Sequence, residues 1–293
     1  MSNIRIVPTG GPLGADVWGV DLEHLSDGDF ATIRQAWLDH DGVLRLPGQF
    51  VPVESMLEFS ARFGELDQAP ITAKGHSDLF RSDLPNLAVI SNVVQEGKPI
   101  GSLGSFESRW HTDMSYNDVP PKASILQAIE LPRAGGDTGY ANMYKALDTL
   151  PQELRGRIAG LTCKHDSSRN SVGEVRRGFQ AEYPDRNDVP GAVHPLVCVH
   201  PESGRECLYL GRRALAFIPE LSDADSEALL EALWAHASQD QFSWYQRWRL
   251  GDIVIWDNRC TMHRRDALDE SERRLLYRAQ VRGERPASSA MAA

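Results

Sequence analysis

Cysteine, surplus positive charge and long apolar runs are scarce or missing in this chain of 293 residues. Its four cysteines show no C-x-x-C spacing, which argues against a zinc knuckle or a redox pair. Lysine and arginine number 31 against 41 acidic residues, so a basic face for nucleic acid is not expected. No apolar run approaches the roughly 20 residues of a membrane span, and residues 1–5 lack the apolar core of a signal peptide. We therefore expect a cytoplasmic protein that binds neither nucleic acid nor membranes.

The chain alternates short strand patterns with a few helical ones. Helices are predicted at about 29–40, 52–63, 143–150, 151–159 and 222–236. Strands are predicted at about 43–46, 87–93, 123–129, 197–200, 207–210 and 274–281, and residues 242–248 are predicted to pair with a strand beginning at 253. This pattern favours a mainly β fold with α insertions, in which helices flank a double-stranded β-helix (a jelly roll, cupin-like).

We expect residues 1–293 to form a single domain, because barrel and sandwich folds often reach this size unbroken. The polar segment 164–192 has few apolar anchors and is predicted to be a lid or an excursion. The Gly-rich segment 97–108 could cover a substrate or simply connect two elements, and both interpretations stay open. The small residues of 286–293 predict a loose tail.

The stretch Trp110-His111-Thr112-Asp113 carries the first candidate site. In a strand, residues two apart point the same way, so His111 and Asp113 could aim at one point. A His-x-Asp pair alone is common, and most such pairs lie in surface turns. His263, just after the strand-like run 252–256, could complete a set of two histidines and one carboxylate. With three positions left open, that set is the facial triad of non-haem Fe(II) oxygenases.

Four motifs in order resemble the Fe(II)/2-oxoglutarate-dependent dioxygenases of the taurine dioxygenase and 2,4-dichlorophenoxyacetate dioxygenase (TauD/TfdA) family. They are His111-Thr112-Asp113, Gly135-Gly136-Asp137-Thr138, Trp256-Asp257-Asn258-Arg259 with His263, and Arg274 with Arg278. The resemblance covers roughly residues 9–285. The segments 90–93, 194–205 and 258–264 look closer to the aryloxyacetate branch of this family.

The resemblance implies that His111, Asp113 and His263 bind iron and form the catalytic centre. It implies that Arg278 binds the far carboxylate of 2-oxoglutarate and that Thr138 donates a hydrogen bond to it, with Arg274 as a second candidate. A guanidinium suits this task because it binds a carboxylate through two parallel hydrogen bonds. Without the resemblance, Thr138 would be interpreted as a turn residue and Arg278 as a surface cation.

The activity that the resemblance implies is oxidative. O2 oxidises a substrate C–H bond while 2-oxoglutarate loses CO2 and becomes succinate. If the hydroxylated carbon carries an ether oxygen or a similar leaving group, the product then breaks apart. We expect a small, anionic organic substrate, such as an aryloxyalkanoate-like carboxylate, a sulfonate or a sulfate ester.

The substrate-binding residues are the least defined part of the prediction. Taurine dioxygenase has a histidine shortly after the motif that resembles Phe63-Gly64-Glu65-Leu66, but residues 66–70 here contain none, which disfavours taurine. Another cation would have to bind an anionic substrate, and each candidate could equally be a surface charge. The candidates are Lys74, Arg109 and Arg212, with Asn92 and Ser115 as possible pocket residues.

Other functions stay open at this stage. The same iron chemistry could serve stable hydroxylation or desaturation in biosynthesis. A non-catalytic jelly-roll binding protein or metal sensor would be expected to lack part of the triad, and a zinc hydrolase gives Thr138 and Arg278 no role. Halogenation is disfavoured because Asp113 occupies the position that chloride would need. We also expect a homo-oligomer, because several apolar faces could serve as an interface and homo-oligomers are common.

Overall fold

The computed structural model describes residues 3–69, 84–103, 105, 108–170, 173–176, 178–210 and 214–292. Its α-helices are α1 (Asp27–Asp39), α2 (Val53–Ala61), α3 (Met143–Asp148), α4 (Gln152–Arg157), α5 (Asp223–Ala237) and α6 (Ser289–Ala292). Its strands are β1 (Arg5–Pro8), β2 (Ala15–Trp18), β3 (Val43–Leu46), β4 (Ala88–Ser91), β5 (Val94–Gln95), β6 (Lys98–Pro99), β7 (Ser102–Leu103), β8 (Ser108–His111), β9 (Pro121–Glu130), β10 (Thr138–Asn142), β11 (Thr162–Asp166), β12 (Gly191–Pro195), β13 (Val197–Val199), β14 (Glu206–Leu208), β15 (Ser243–Gln246), β16 (Ile253–Asp257), β17 (Thr261–Arg265) and β18 (Leu275–Arg282). Over these ranges, every helix is too short or too polar to cross a membrane.

Two sheets form the centre of the fold. The large sheet has the strand order β1-β2-β3-β16-β9-β18-β4-β7, and the small sheet has the order β15-β10-β17-β8. The pairs β2–β3 and β4–β7 are parallel, and the other pairs in the two sheets are antiparallel. The remaining strands form the hairpins β5–β6, β11–β12 and β13–β14. The predicted jelly-roll core with flanking helices is thus confirmed.

The interior between the sheets is apolar at its centre. Leu126, Val254 and Leu276 of the large sheet pack there with Tyr140 of the small sheet. Along β18, Leu276 faces this interior, whereas Ala279 belongs to the core on the other side of the sheet. Because side chains alternate along a strand, Arg278 and Gln280 point between the sheets as Leu276 does.

Helices cover the outer faces of both sheets. Helix α1 begins after Ser26, whose hydroxyl accepts a hydrogen bond from the Asp29 N–H. Helices α1 and α2 bury Trp37, Phe59 and Phe63 in edge-to-face ring contacts against the large sheet, and each such ring contributes about 1.5–3 kcal/mol through burial. Helices α3 and α5 cover the small sheet in the same way. The sheets are therefore held on both sides by packed apolar layers.

The segment between β11 and β12 lies beside the turn that follows Asp113. The Tyr116 carbonyl accepts a hydrogen bond from the Ala192 N–H, and the Arg176 guanidinium stacks 4.5 Å above the Tyr116 ring.

At the C-terminus, the Ala287 carbonyl accepts from the Val199 N–H, and α6 follows. The roles of segment 164–192 as a lid and of 286–293 as a loose tail stay predictions.

Three local predictions were wrong. Strand β15 pairs with β10 rather than with β16, because residues 247–252 carry the chain from the small sheet to the large one. Strand β8 ends at His111, so Asp113 lies in a turn, where Met114 has a φ of 46°. His263 lies in the middle of its own strand, β17, rather than just beyond the end of β16.

Candidate metal centre

Two imidazoles and one carboxylate converge in the buried interior between the two sheets. The Nε2 atoms of His111 and His263 each lie 3.7 Å from the same oxygen, Oδ1 of Asp113. The ligand atoms of all three residues lie within 4.8 Å of one another, and all three are buried. The two histidines are paired across β8 and β17, with ring centroids 4.2 Å apart. The three sequence-predicted ligands are thus brought together around one point.

A hydrogen bond from Nδ1 orients the His111 ring as a metal ligand requires. Its Nδ1 lies 2.7 Å from the Arg109 carbonyl oxygen, which can only accept a hydrogen bond. The proton therefore sits on Nδ1, and the lone pair of Nε2 points toward Asp113 and His263. Outer hydrogen bonds of this kind orient histidine ligands in metal sites.

The second oxygen of Asp113 is held by donors from the large sheet. Oδ2 accepts hydrogen bonds from Ser124 Oγ at 2.9 Å, Gln280 Nε2 at 3.1 Å and Arg278 Nη1 at 3.4 Å. Oδ1 is left facing the two imidazoles. Because Oδ2 is occupied by these donors, the carboxylate would bind a cation through Oδ1 only. The remaining positions around the cation would then stay open.

The charge on Asp113 is stabilised by its neighbours. Burial would raise the pKa of its carboxyl group, but the positive charge of Arg278 and the imidazoles of His263 and His111 outweigh burial. The pKa of Asp113 is therefore held well below its usual range. The carboxylate is ionised and able to bind a cation at neutral pH.

A chain of hydrogen bonds supports Ser124 from behind. Trp256 Nε1 donates to Asn258 Oδ1 at 2.8 Å, and Asn258 Nδ2 donates to Ser124 Oγ at 3.0 Å. Sequence reasoning missed the roles of Ser124 and Gln280. The signal that could have found them is a polar side chain whose two neighbours in the strand are apolar and buried, as they are for Ser124 and Gln280.

The two candidate arginines occupy different places in the interior. Arg278 contacts Asp113, as above, and so lies next to the three ligands. Arg274 lies over Gly136: its Nη2 donates to the Gly136 carbonyl at 3.2 Å, and a Cβ on Gly136 would come within 3.0 Å of its Nε. Gly136 has a φ of 70°, which also favours glycine. Thr138, two residues further on, is buried and accepts a hydrogen bond from Trp248 Nε1 at 3.0 Å.

Arg274 is a buried cation in surroundings that do not neutralise it well. Burial, and then the charge of Arg265, lower the pKa of its guanidinium to about 9. Its Nε has no hydrogen-bond partner among the residues that the structure describes. Burial also lowers the pKa of Arg265, which is paired with Thr138 across β10 and β17, to about 10. This end of the interior is suited to a bound anion.

The structure describes three of the other predicted substrate residues, and none of their side chains belongs to the ligand cluster. The Asn92 side chain is used within the fold, since it donates to the Glu272 carbonyl and accepts from the Arg274 N–H. Ser115 is fully buried, with its Oγ 2.9 Å from His165 Nδ1. The Arg109 residue is exposed. Lys74 and Arg212 lie outside the described residues.

A second cluster of possible ligands, His200, Asp257 and Cys260, is also buried. Here the lone pairs of Asp257 and His200 are already used: Asp257 accepts from His200 Nε2 and three times from Arg259, and His200 Nδ1 accepts from the Ser203 N–H. Arg259 and His200 lower the pKa of Asp257 against the effect of burial. We interpret this cluster as an ion-pair network that fixes the turn between β16 and β17. Cys260 is a free, buried cysteine.

The comparisons with known proteins agree with this geometry. The family model described as taurine catabolism dioxygenase TauD, TfdA family, matches residues 5–280. A (S)-phenoxypropionate/alpha-ketoglutarate-dioxygenase of Sphingobium herbicidovorans is 32% identical, with 98% of each chain covered. Pentalenolactone F synthase of Streptomyces arenae is 31% identical, with 91% of each chain covered. The crystal structure of AAD-2 in complex with Mn(II) and N-oxalylglycine has a TM-score of 0.77 and 30% identity, and covers 97% of this chain and 99% of its own.

Proposed function

Because this chain belongs to the TauD/TfdA family of dioxygenases, we propose that it is an Fe(II)- and 2-oxoglutarate-dependent dioxygenase that oxidises a small organic acid. The observation that carries this proposal is the convergence of His111 Nε2 and His263 Nε2 on one oxygen of Asp113. Iron bound by these three residues would couple the loss of CO2 from 2-oxoglutarate to the oxidation of a substrate C–H bond. In balance, substrate, 2-oxoglutarate and O2 give hydroxylated substrate, succinate and CO2.

The donor set fits a divalent iron. Two imidazoles and one carboxylate that uses a single oxygen leave three adjacent positions for other ligands. The protein's part is to keep these groups oriented and to hold the co-substrate in a buried, water-poor interior. Asp113 and His111 are already fixed in the required orientation by their outer hydrogen bonds.

The positions of the arginines favour a different assignment from the one expected from the sequence, in which Arg278 binds the far carboxylate and Arg274 is a second candidate. Arg278 touches Asp113, so we propose that it binds the carboxylate of 2-oxoglutarate that lies next to the metal. Arg274 precedes it by four residues, or about 13 Å along an extended chain, and lies beside Thr138. We assign the far carboxylate to Arg274 and Thr138. The Thr138 oxygen accepts from Trp248, an indole that can only donate, so its own hydrogen is free for the carboxylate.

We propose an aryloxyalkanoate-like carboxylate as the substrate class. The support is the family branch and the (S)-phenoxypropionate dioxygenase that is 32% identical over nearly the whole chain. Oxidation of the carbon that bears the ether oxygen would give a hemiacetal or hemiketal, which breaks into a phenol and a 2-oxo acid. Sulfonates and sulfate esters are the other anionic substrates that we propose.

Oxidation within a biosynthetic pathway is the second candidate. It is favoured by the 31% identity to a pentalenolactone F synthase, again over most of the chain. The two candidates share the iron centre and differ in the product: cleavage releases a phenol, whereas biosynthetic oxidation leaves the carbon skeleton intact.

The test begins with anaerobic titration of the full-length protein with Fe(II) and then with 2-oxoglutarate. Aryloxyalkanoates, sulfonates and alkyl sulfate esters are then added with O2, and succinate, phenols and intact oxidised products are measured. Asp113→Ala and His263→Ala should each abolish turnover and weaken metal binding, while the folded state persists. Cys260→Ala is a matched control in the other ligand-like cluster, and it should bind metal normally.

Two results would contradict this proposal. Substrate-dependent succinate release by Asp113→Ala or His263→Ala would remove the ligand assignment. A wild-type protein that binds Fe(II) but never 2-oxoglutarate would favour a metal-binding protein without this activity.

A homo-oligomer in the cytoplasm is the remaining part of the proposal. Phe50 is 77% exposed and packs on Gly251, beside Leu250, which is 52% exposed. Such an apolar surface suits contact with a second copy of the chain. Analytical ultracentrifugation of wild type and Phe50→Ser would test it, with a lower association state expected for the variant.

A further inference from the structure

Tyr140 has a hydroxyl group that the described fold does not use. The residue is completely buried, and its Oη has no hydrogen-bond partner among the described residues. Leaving a buried hydroxyl unpaired costs stability, and native proteins contain few such groups. A phenylalanine would fill the same space without this cost, so the hydroxyl calls for an explanation.

The side chain of Tyr140 is aimed into the interior next to the metal ligands. Its Cα is paired with that of His263 across β10 and β17, and paired residues of antiparallel strands point to the same face. The ring packs against Trp256 and Trp244, with centroid distances of 5.5 and 6.0 Å. These contacts leave the ring little freedom to turn the hydroxyl elsewhere.

The surroundings of the hydroxyl match those of a carboxylate-binding group. Burial raises the pKa of the Tyr140 phenol. The positive charge of Arg274 lowers this pKa and the negative charge of Asp113 raises it, so both charged groups act electrostatically on the hydroxyl. It stays protonated at neutral pH and can donate. Thr138, two residues earlier in β10, points to the same face.

We infer that the Tyr140 hydroxyl donates a hydrogen bond to the far carboxylate of 2-oxoglutarate, beside Arg274 and Thr138. This inference rests on the proposed function, because it requires 2-oxoglutarate to occupy the interior. A carboxylate has about four acceptor positions, so a third donor can be accommodated with the other two. Binding of the co-substrate then satisfies a group that the free protein leaves unpaired.

The experiment measures 2-oxoglutarate binding to the Fe(II)-loaded protein without oxygen, by calorimetry, for wild type and Tyr140→Phe. The Kd of the variant should rise about 10- to 100-fold, as expected for a lost hydrogen bond to a charged group. The melting temperature of the ligand-free variant should be equal to or above that of wild type, because nothing in the free protein is lost. A merely structural tyrosine would give the opposite result for stability.

A truncated ligand and a second tyrosine sharpen the test. 2-Oxopentanoate keeps the chelating end but has a methyl group in place of the far carboxylate, so wild type and Tyr140→Phe should bind it equally. Tyr144→Phe is the matched control: its hydroxyl already pairs with Ser203 Oγ at 3.1 Å. That variant should lose stability and keep the wild-type affinity for 2-oxoglutarate.

Each other outcome overturns the inference. An unchanged Kd for Tyr140→Phe would show that the hydroxyl does not contact the ligand. An equal loss for 2-oxoglutarate and 2-oxopentanoate would place it at the chelating end. A fall in melting temperature would show that it has a partner in the free protein. If wild type binds 2-oxoglutarate at no concentration, the proposed function fails, and this inference fails with it.

Discussion

Removing the donors that hold the outer oxygen of Asp113 should weaken metal binding without touching a metal ligand. Ser124→Ala and Gln280→Leu each delete one hydrogen bond to that oxygen, of 2.9 and 3.1 Å respectively. Arg278, at 3.4 Å, remains in both variants. The carboxylate is then free to rotate and to present both oxygens to the cation. The second oxygen would occupy a position that 2-oxoglutarate or O2 needs.

The size of the effect follows from these contacts. A hydrogen bond to a charged group contributes about 1.5–3 kcal/mol, and loss of an outer-sphere partner typically costs about 10- to 100-fold in metal affinity. We expect each variant to raise the Kd for Fe(II) or Mn(II) within that range. Ser124→Ala should have the larger effect, because it also leaves Asn258 Nδ2 without its acceptor.

The assay is anaerobic titration with Fe(II), together with the visible spectrum of the Co(II)-loaded protein, which reports the number of ligands. Gln127→Leu is the matched control: Gln127 is a buried amide of β9 whose Nε2 donates to the Val51 carbonyl, away from the ligands. It should lose stability and keep its metal affinity. If both Ser124→Ala and Gln280→Leu fold and bind metal within twofold of wild type, the outer oxygen is not what positions Asp113.

Two other predictions concern charge. Arg274→Met should raise the Kd for 2-oxoglutarate at least 30-fold, since loss of a buried charged partner costs about 2–5 kcal/mol. Arg278→Met should change the affinity for the metal as well. If only Arg278→Met loses 2-oxoglutarate binding in these titrations, the far carboxylate belongs to Arg278, as the sequence predicted. Asp257→Asn should cost about 3–5 kcal/mol at pH 7 by breaking a buried ion pair. Because the pKa of Asp257 is lowered on folding, its stabilisation is complete above the unfolded value of about 3.9 and is lost as the pH falls toward the folded value. Urea unfolding should therefore show a smaller gap between the variant and wild type at pH 3 than at pH 7, and an equal gap would contradict the ion-pair interpretation.

The general fold followed from local patterns in the sequence. The helix predicted at about 29–40 and the strands predicted at about 197–200 and 207–210 are set by neighbouring residues, and these predictions were confirmed. The pairing of β15 was not predictable in this way. Residues 247–252 move the chain between sheets, and proximity in the sequence then suggests the wrong partner.

The ligands were predictable, but the reason given for Asp113 was not the one that the structure uses. Strand alternation stops at His111, and the carboxylate is brought to the same point by a turn and by the donors Ser124 and Gln280. Those donors come from strands that begin 10 and 164 positions after His111, at Pro121 and Leu275. A contact that depends on how two sheets face each other leaves no local pattern in the sequence.

The donors to Asp113 stand on the large sheet, while His111 and His263 stand on the small one. The metal centre therefore links the large sheet to the small sheet. A substitution that moves the two sheets apart, even in the apolar interior at Leu126 or Leu276, would increase the distance between the Asp113 carboxylate and the two histidines. Its first measurable effect would be a lower affinity for the cation. Bound metal, for the same reason, should make the two sheets harder to separate.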